Sequence, residues 1–343
     1  MSTTIRDVAK KLNLSIYTVS RALDGYEDVS DQTRQLVIET ATEMGYAPNR
    51  AARQLRRQKT DTVGFIIPSI SKEFGEPFFT EFISGMGEEL SARNFDLLVS
   101  NATSDDGERN LYHRWANSHK VDGFILNRVR RHDWRVAYLK EQGIAFVGLG
   151  KSQDGIDYPF ARIDAAEEFL SLVHHVQCNG FSRFAFVGGP ADLVNHIERL
   201  KWFKAALKKC GLEFDPEFVV STDMTSTDGY EAASALLSRS TPPDAFLCVN
   251  DQTAYGVLHA AHERGFEIGA NIAVSGFDGL RDSAHTEPAL TTLAIPVAKI
   301  AQQLVQMLLK ITNHEVLDEQ EVIIKPELRI RASTGGMPER NAA

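Results

Sequence analysis

From Thr62 onward the chain alternates short apolar runs with stretches of helical period, and no other feature limits its folding so strongly. The runs TVGFIIPS, FDLLVSN, VDGFILN, IAFVGLG, RFAFVGG, EFVVST, AFLCVN and IAVSGFD read as strands. The stretches between them, Phe79–Arg93 and Leu193–Cys210 included, read as helices. Strands that are apolar without alternation need cover on both faces, which predicts parallel sheets flanked by helices. Eight or more such strands leave two architectures open, a single barrel or two successive doubly wound lobes. A chain of 343 residues has the length for two or three compact units.

The first sixty or so residues do not share this pattern. They read as three short helices, the first capped by Thr4 with Asp7 as capping-box partner and Ile5, Val8, Ala9 and Leu12 as its apolar stripe. Asn13-Leu14 makes a tight connection to a second helix, capped by Ser15 and ending near Leu23 at Asp24-Gly25. Ser30 caps the third, whose stripe takes in Leu36, Val37, Ala41 and Met44 before Gly45. Charge separates this head from the rest: residues 1–59 hold ten Lys/Arg against seven Asp/Glu, within a chain whose net charge is -9. Arg50, Arg53, Arg56, Arg57 and Lys59 crowd the end of the head without an acid among them. A small basic head on an acidic body implies that only the head meets a polyanion.

The second helix carries the chemistry for such a meeting. On a wheel of about 100° per residue, Val19, Ala22 and Leu23 share one side and Tyr17, Ser20 and Arg21 the other, with Ile16 at the boundary. Two helices joined by a tight turn, the second with this face, fit a helix-turn-helix that inserts its second helix into the major groove of double-stranded DNA. Arg21 suits a bidentate pair with guanine, Tyr17 donates or accepts, and Ile16 packs on a thymine methyl. Ser20 and the helix N-termini capped by Thr4, Ser15 and Ser30 suit phosphates. A three-helix adaptor with an incidental polar face is the rival reading. Residues 47–59 form a second DNA element if they become helical, with Asn49, Arg50 and Arg53 near the backbone and Leu55 as a wedge for the minor groove; as a plain tether the stretch has no use for a lone Leu55.

Ligands of doubly wound sheets lie outside the carboxyl ends of the strands. Several apolar strands end in polar groups there: Ser69, Asn101, Asn127, Lys151, Asn250 with Asp251, and Asp278. Arg199, in the helix Leu193–Cys210, adds a guanidinium. Amide, carboxylate and guanidinium groups each bridge adjacent hydroxyls, and Phe78 or Phe79 in GEPFFTEF supplies an aromatic cover for the apolar face of a ring. Phe79 as core, Asp251 as a helix cap and Arg199 in a buried salt bridge are the structural alternatives. An enzyme finds no support: FVGGP is neither a dinucleotide fingerprint nor a Walker loop, and no nucleophile elbow is present. His174-His175 and His259/His262 lack carboxylate partners at ligand spacing, so neither a metal nor a cofactor is expected. Cys178, Cys210 and Cys248 read as reduced packing cysteines. No apolar run reaches the length of a membrane span, and the start MSTTIRDVAKKLNL has no signal-peptide core, so the expected location is cytoplasmic and no membrane partner is expected.

TIRDVAKKLNLSIYTVSRALDG, VSDQTR, MGYAPNRAARQLRR and TVGFIIP together resemble the LacI/GalR family of bacterial transcriptional repressors. The similarity continues through ERLKWFKAAL, CVNDQTAYGVLHA, VSGFDG and PALTTLAIP and so spans nearly the whole chain. It implies an all-α helix-turn-helix head (residues 1–46), a hinge helix within a linker (47–60) and an α/β effector-binding and dimerisation body (61–343) of two doubly wound parallel-sheet lobes, like the periplasmic sugar-binding proteins. The N-lobe is expected at about 61–161 and 294–321, the C-lobe at about 162–293 and 322–343, with crossings near Ala161–Asp164, Leu290–Ile295 and Glu321–Pro326. The resemblance further implies a homodimer on a near-palindromic operator. The ending STGGMPERNAA has no heptad, which favours a dimer over a tetramer.

By resemblance Arg199, Asn250 and Asp278 match the family's effector contacts, Phe78 and Phe79 fall in its first-lobe contact segment, and Lys151 is carried over with them; Ser69, from its place at a strand end, completes the expected site. Purine-binding members carry an arginine six residues before Arg199; Leu193 stands there, which argues against a purine. Trp202 stands where the family usually has glycine, which leaves ligand size open. The head and hinge are most similar to regulators of α-glucoside uptake, so the expected effector is a sugar such as trehalose, sucrose or maltose. The expected mode is repression released by that sugar. A ligand that tightens DNA binding is the alternative within the regulator reading, and a sugar-binding protein or enzyme without DNA function is the alternative outside it.

Overall fold

The computed structural model describes residues 3–26, 28–46, 59–68 and 76–335. The chain falls into two compact units, Met1–Thr60 and Asp61–Ala343.

The first unit is helical: α1 (Ile5–Leu12), α2 (Ile16–Leu23) and α3 (Asp31–Glu43). Asp7 Oδ2 accepts hydrogen bonds from the Thr4 backbone N–H (2.9 Å) and the Thr4 hydroxyl (2.7 Å). Ser15 and Ser30 accept from the backbone N–H groups of Thr18 and Thr33 at 3.0 and 3.3 Å. Each cap satisfies a donor that the first turn leaves without a helical partner. Asn13 takes the left-handed conformation, φ 54°, and so turns the chain sharply between α1 and α2. Val8, Ala9, Val19, Ala22, Val29, Val37 and Ala41 form the core. Leu36, expected in the α3 stripe, is half exposed at 50%; the buried stripe runs Val37, Thr40, Ala41, Met44 at helical spacing, and Leu36 falls beside it.

The second unit holds two six-stranded sheets. The first comprises β1 (Thr62–Ile67), β2 (Asp96–Asn101), β3 (Gly123–Leu126), β4 (Ala145–Leu149), β5 (Phe160–Ile163) and β11 (Glu321–Ile324), in the order β11-β5-β4-β3-β1-β2. The second comprises β6 (Phe184–Gly188), β7 (Val219–Ser221), β8 (Ala245–Cys248), β9 (Ala273–Asp278), β10 (Thr291–Ala294) and β12 (Glu327–Arg329), in the order β12-β10-β9-β8-β6-β7. All eight apolar runs read from the sequence are strands, and the barrel alternative is set aside. Each sheet is doubly wound, its first strand flanked by the second on one side and the third on the other, which places the topological switch point between first and third.

Helices cover both faces. The N-lobe carries α4 (Pro77–Ser91), α5 (Asp105–Asn117), α6 (Trp134–Glu141) and α11 (Val297–Thr312); the C-lobe carries α7 (Ala166–Cys178), α8 (Val194–Lys209), α9 (Ser226–Leu237) and α10 (Asp251–Glu263). The chain passes between lobes after β5, β10 and β11. One strand breaks the parallel pattern. β12 follows β11 after only Lys325 and Pro326, so it enters the C-lobe from the gap where β10 ends and must run away from it; Ala294 pairs with Glu327 and Thr292 with Arg329, antiparallel.

The α9–α10 contact depends on small residues. A Cβ on Gly256 would lie 1.9 Å from the Ser226 carbonyl oxygen and 2.5 Å from the Tyr230 nitrogen, both backbone atoms that cannot swing aside. Gly256→Ala is therefore expected to force the helices apart and destabilise the body by about 1–3 kcal/mol. Chemical denaturation of the purified variant checks this, and an unchanged midpoint would contradict it.

Candidate functional site

In the head, Ile16 and Tyr17 project side by side from the start of α2 with 46% and 68% of their surface exposed. Arg21 is held rather than loose. Its Nε and Nη2 donate to Asp28 at 2.9 and 2.8 Å, its Nη1 donates to the Tyr17 hydroxyl at 3.0 Å, and its guanidinium lies 4.1 Å from the Tyr26 ring centre. The Asp28 hydrogen bond raises the pKa of Arg21 above its ordinary value. Ser20 departs from the expected exposed face: it is buried with Val19 and Ala22, since on the wheel it falls only about 60° from Leu23 and the packing of the three-helix core covers that edge of α2. Thr4, Ser15 and Ser30 are exposed and act as caps. Asn49, Arg50, Arg53 and Leu55 lie outside the described residues, as does Ser69 in the body.

In the body, the carboxyl ends of both sheets line one cleft with about 720 Å³ of empty space, its mouth included. Asn127 and Arg128 follow β3, Leu149 and Gly150 end β4, and Arg162 and Ile163 end β5. From the other lobe come Met224 in the loop after β7, Asn250 after β8, Asp278 at the end of β9, Ile295 after β10, and Val194, Asn195, Glu198, Arg199 and Trp202 along α8. Glu76 and Phe78 enter from the start of α4.

Arg199 is buried, stacked 3.5 Å from the Phe277 ring centre, hydrogen-bonded to the Val249 carbonyl and 3.7 Å from Asp278 Oδ1. It is thus both a cleft residue and a member of a buried ion pair. Burial lowers its pKa and pushes the Asp278 carboxyl well above the usual carboxylate range, with Arg199 opposing the latter shift. Asp278 adopts φ 108°, a strained conformation for a non-glycine residue, and Gly279 behind it has φ 73°. A Cβ on Gly279 would stand 2.3 Å from that of Ala294, so glycine is required where β9 leaves the sheet. Arg128 pairs with Glu76 at 2.5 Å. Arg162 pairs with Glu321 and lies 3.6 Å from Asp164. Burial raises the Glu198 carboxyl. Asn127 accepts from the Arg128 N–H through Oδ1, while its Nδ2, also buried, has no hydrogen-bond partner among the described residues.

Five expected residues, Phe78, Asn127, Arg199, Asn250 and Asp278, meet in this cleft. Asn250 also caps α10, accepting from Thr253 N–H at 2.8 Å and donating to the Met224 carbonyl at 3.1 Å; Asp251, read as a potential cap, is instead the first helical residue. Phe79 and Lys151 are not among the lining residues. Phe79 is fully buried between Phe65 and Phe78, on the α4 face that packs on the sheet. Lys151 points to Asp157, 2.9 Å away, and over the Phe160 ring. Sequence reasoning passed over Glu76, Arg128 and Arg162, which pair with residues far off in the chain, and Glu198 on α8. Trp202 does enter the cleft and packs on Phe169, ring centres 5.9 Å apart.

The rim of the cleft is tied across the lobes. Val194 N–H donates to the Val129 carbonyl at 3.0 Å and Arg131 N–H to the Asp192 carbonyl at 2.6 Å, bracketing an antiparallel bridge between Arg130 and Leu193. His174, His259 and His262 are exposed, and among the described residues no group of three or more His, Cys, Asp or Glu is arranged to hold a metal. No helix among them is long and apolar enough to cross a membrane.

Residues 4–49 match the model for bacterial regulatory proteins of the lacI family, and residues 173–334 match that for a periplasmic binding protein-like domain. The transcriptional regulator AglR of Rhizobium meliloti (strain 1021) is 34% identical, over 99% of this chain and 97% of its own. The chain belongs to the LacI family of bacterial transcriptional regulators. Catabolite control protein A of Priestia megaterium is 31% identical across 97% of this chain and 100% of its own. Among solved structures, a complex of the regulator CelR with cellobiose superposes with a TM-score of 0.74 at 28% identity, over 96% of this chain and 99% of that one. The lac repressor dimer bound to operator and the anti-inducer ONPF shares the fold, with a TM-score of 0.81 at 23% identity over 97% and 99% of the two chains. This LacI-family chain is therefore a DNA-binding transcriptional regulator, and its relatives are regulators rather than enzymes.

Beneath the cleft, Asp251 accepts from the Thr292 hydroxyl at 2.6 Å and the Leu280 N–H at 2.7 Å. Burial pushes its carboxyl from an ordinary 3.8 up to about 7, with Arg331 opposing the shift. The folded state thus holds the proton more tightly than the unfolded one. The stability this lends is complete below about pH 3.8 and lost as pH rises through about 7. Asp251→Asn, whose Nδ2 donates to the Thr292 hydroxyl oxygen while its Oδ1 accepts from Leu280 N–H, is expected to flatten the fall in stability between about pH 4 and about pH 7. Denaturation midpoints across that range check it; parallel profiles for the two proteins would contradict it.

Proposed function

We propose that this regulator is a repressor, binding a near-palindromic operator as a homodimer through residues 1–46 and a hinge at 47–60, and releasing it when a neutral sugar occupies the cleft of the body, 61–343. The observation that carries the ligand class is the charge balance of the cleft. Arg128, Arg199 and Arg162 each face a carboxylate, Glu76, Asp278 and Glu321 respectively. Among the described lining residues no guanidinium is left over to hold a phosphate or carboxylate ligand, whose charge would go uncompensated in a dry site. Paired carboxylates and guanidiniums still offer acceptors and donors to hydroxyls, and Asn127 Nδ2, without a partner among the described residues, suits a hydroxyl acceptor. The cellobiose complex of CelR supports a disaccharide, and the resemblance to α-glucoside regulators points to an α-linked one.

On this reading Arg199, Asp278, Asn250 and Asn127 hold the sugar hydroxyls and Phe78 covers a ring face. Sugar bridging the two walls favours the tied rim at Val129–Arg131 and Asp192–Val194 over an open one. In the dimer, closure shifts the paired N-lobes and withdraws the support that the hinges need to stay on DNA, with Leu55 as the minor-groove wedge. The coupling required is about 1–3 kcal/mol, roughly a 5- to 150-fold change in operator affinity. On DNA, Ile16, Tyr17 and Arg21 reach base edges, Arg21 exchanging Asp28 for guanine, while the capped helix ends and Asn49, Arg50 and Arg53 contact the backbone. The regulator works in the cytoplasm, where operator and sugar meet.

Two substitutions separate the sites. Tyr17→Ala is expected to weaken operator binding by about 1–3 kcal/mol and leave sugar affinity unchanged, since the exposed ring supports no core. Fluorescence anisotropy on a duplex selected by the protein from random sequence measures the first, and calorimetry the second; full operator affinity in the variant would remove α2 from the groove. Arg199→Ala is expected to bind operator but no longer let go when sugar is added. Normal release in a gel shift would take Arg199 out of the effector site, and sugar-enhanced binding by the unmodified protein would make the ligand a corepressor.

A further inference from the structure

Helix α8 runs the length of the cleft. Val194, at the tied rim, and Trp202, against Phe169 of the first helix past the β5 crossing, are eight residues apart, about 12 Å of helix. Two separate polar clusters lie along this line. At the ends of β8 and β9, Arg199 faces Asp278. Nearer the crossing, Glu198 lies within electrostatic reach of Arg162. Trp202 is one turn on from both Glu198 and Arg199, on the side of them away from Val194, and is half buried, its body fixed by Phe169 and its remaining surface turned to the cleft. Phe169 in turn packs on Phe277, the ring beneath Arg199, so both clusters rest on one continuous aromatic layer. Two polar clusters along one helix, with a ring platform beyond them, are more than a single pyranose can engage.

Resting on the neutral-sugar reading above, we infer that Trp202 is a specificity-determining residue: its indole stacks on the second ring of a two-ring glycoside whose first ring sits at Arg199 and Asp278, and so selects disaccharides over monosaccharides.

The test is calorimetric titration of the full chain and its Trp202→Ala and Trp202→Phe variants with trehalose, maltose, sucrose and cellobiose as two-ring probes and methyl α-D-glucoside as the one-ring probe. The unmodified protein should bind at least one disaccharide more tightly than the one-ring probe. Trp202→Ala should lose about tenfold or more on that disaccharide and less than about twofold on methyl α-D-glucoside, with Trp202→Phe keeping most of the affinity. Equal losses on both probes, or no loss on the disaccharide, would overturn the inference while leaving the sugar reading intact. Trp202→Phe separates a lost platform from lost folding: weakening as severe as in Trp202→Ala, with thermal stability unchanged, would also count against stacking. If the unmodified protein bound none of the five probes, the sugar reading itself would fail and this inference with it.

Discussion

Both sheets of the body send the carboxyl ends of their parallel strands toward one shared gap, and the functional geometry depends on that constraint. Loops at strand ends are free to carry polar groups because the ladder stops there, and the helices that follow begin with unpaired N–H groups. Asn127, Arg128, Asn250 and Asp278 all come from such ends. The same strand order in each lobe presents two like walls, and three short crossings keep them facing. The reversed strand β12 follows from this arrangement: a chain that leaves the N-lobe at the gap can enter the other sheet only from its carboxyl edge.

A gap lined by buried charge is costly unless each charge has a partner. Here Arg128, Arg199 and Arg162 each face a carboxylate, Glu76, Asp278 and Glu321. The raised carboxyls of Asp278 and Glu198 and the strained backbone of Asp278 show that the site is held in place at the expense of local stability, as binding sites commonly are.

The sequence displayed the secondary structure clearly because each element is marked locally. Caps at Thr4, Ser15 and Ser30 and eight unbroken apolar runs need no tertiary context to read. Site residues at strand ends, Asn250 and Asp278, were legible for the same reason, since polarity appears abruptly after an apolar run. Phe78 and Phe79 were not separable by sequence: adjacent helical positions differ by about 100°, and only packing on the sheet decides which ring is core. Ser20 and Leu36 were misassigned on the same account, each lying at the edge of a helical stripe. Glu76, Arg128 and Arg162 left no signal, because their pairings close over 52 and 159 residues in the chain. Whether Trp202 faces the cleft was equally hidden until α8 was placed.

Head and cleft serve one regulator only if binding at one changes binding at the other, and linkage requires the two changes to be equal. The most direct test measures operator affinity with and without saturating sugar, and sugar affinity with and without saturating operator, on the same preparation at fixed salt. The account predicts that sugar weakens operator binding and that operator weakens sugar binding by the same factor. Tight binding of both ligands with no mutual effect would contradict it.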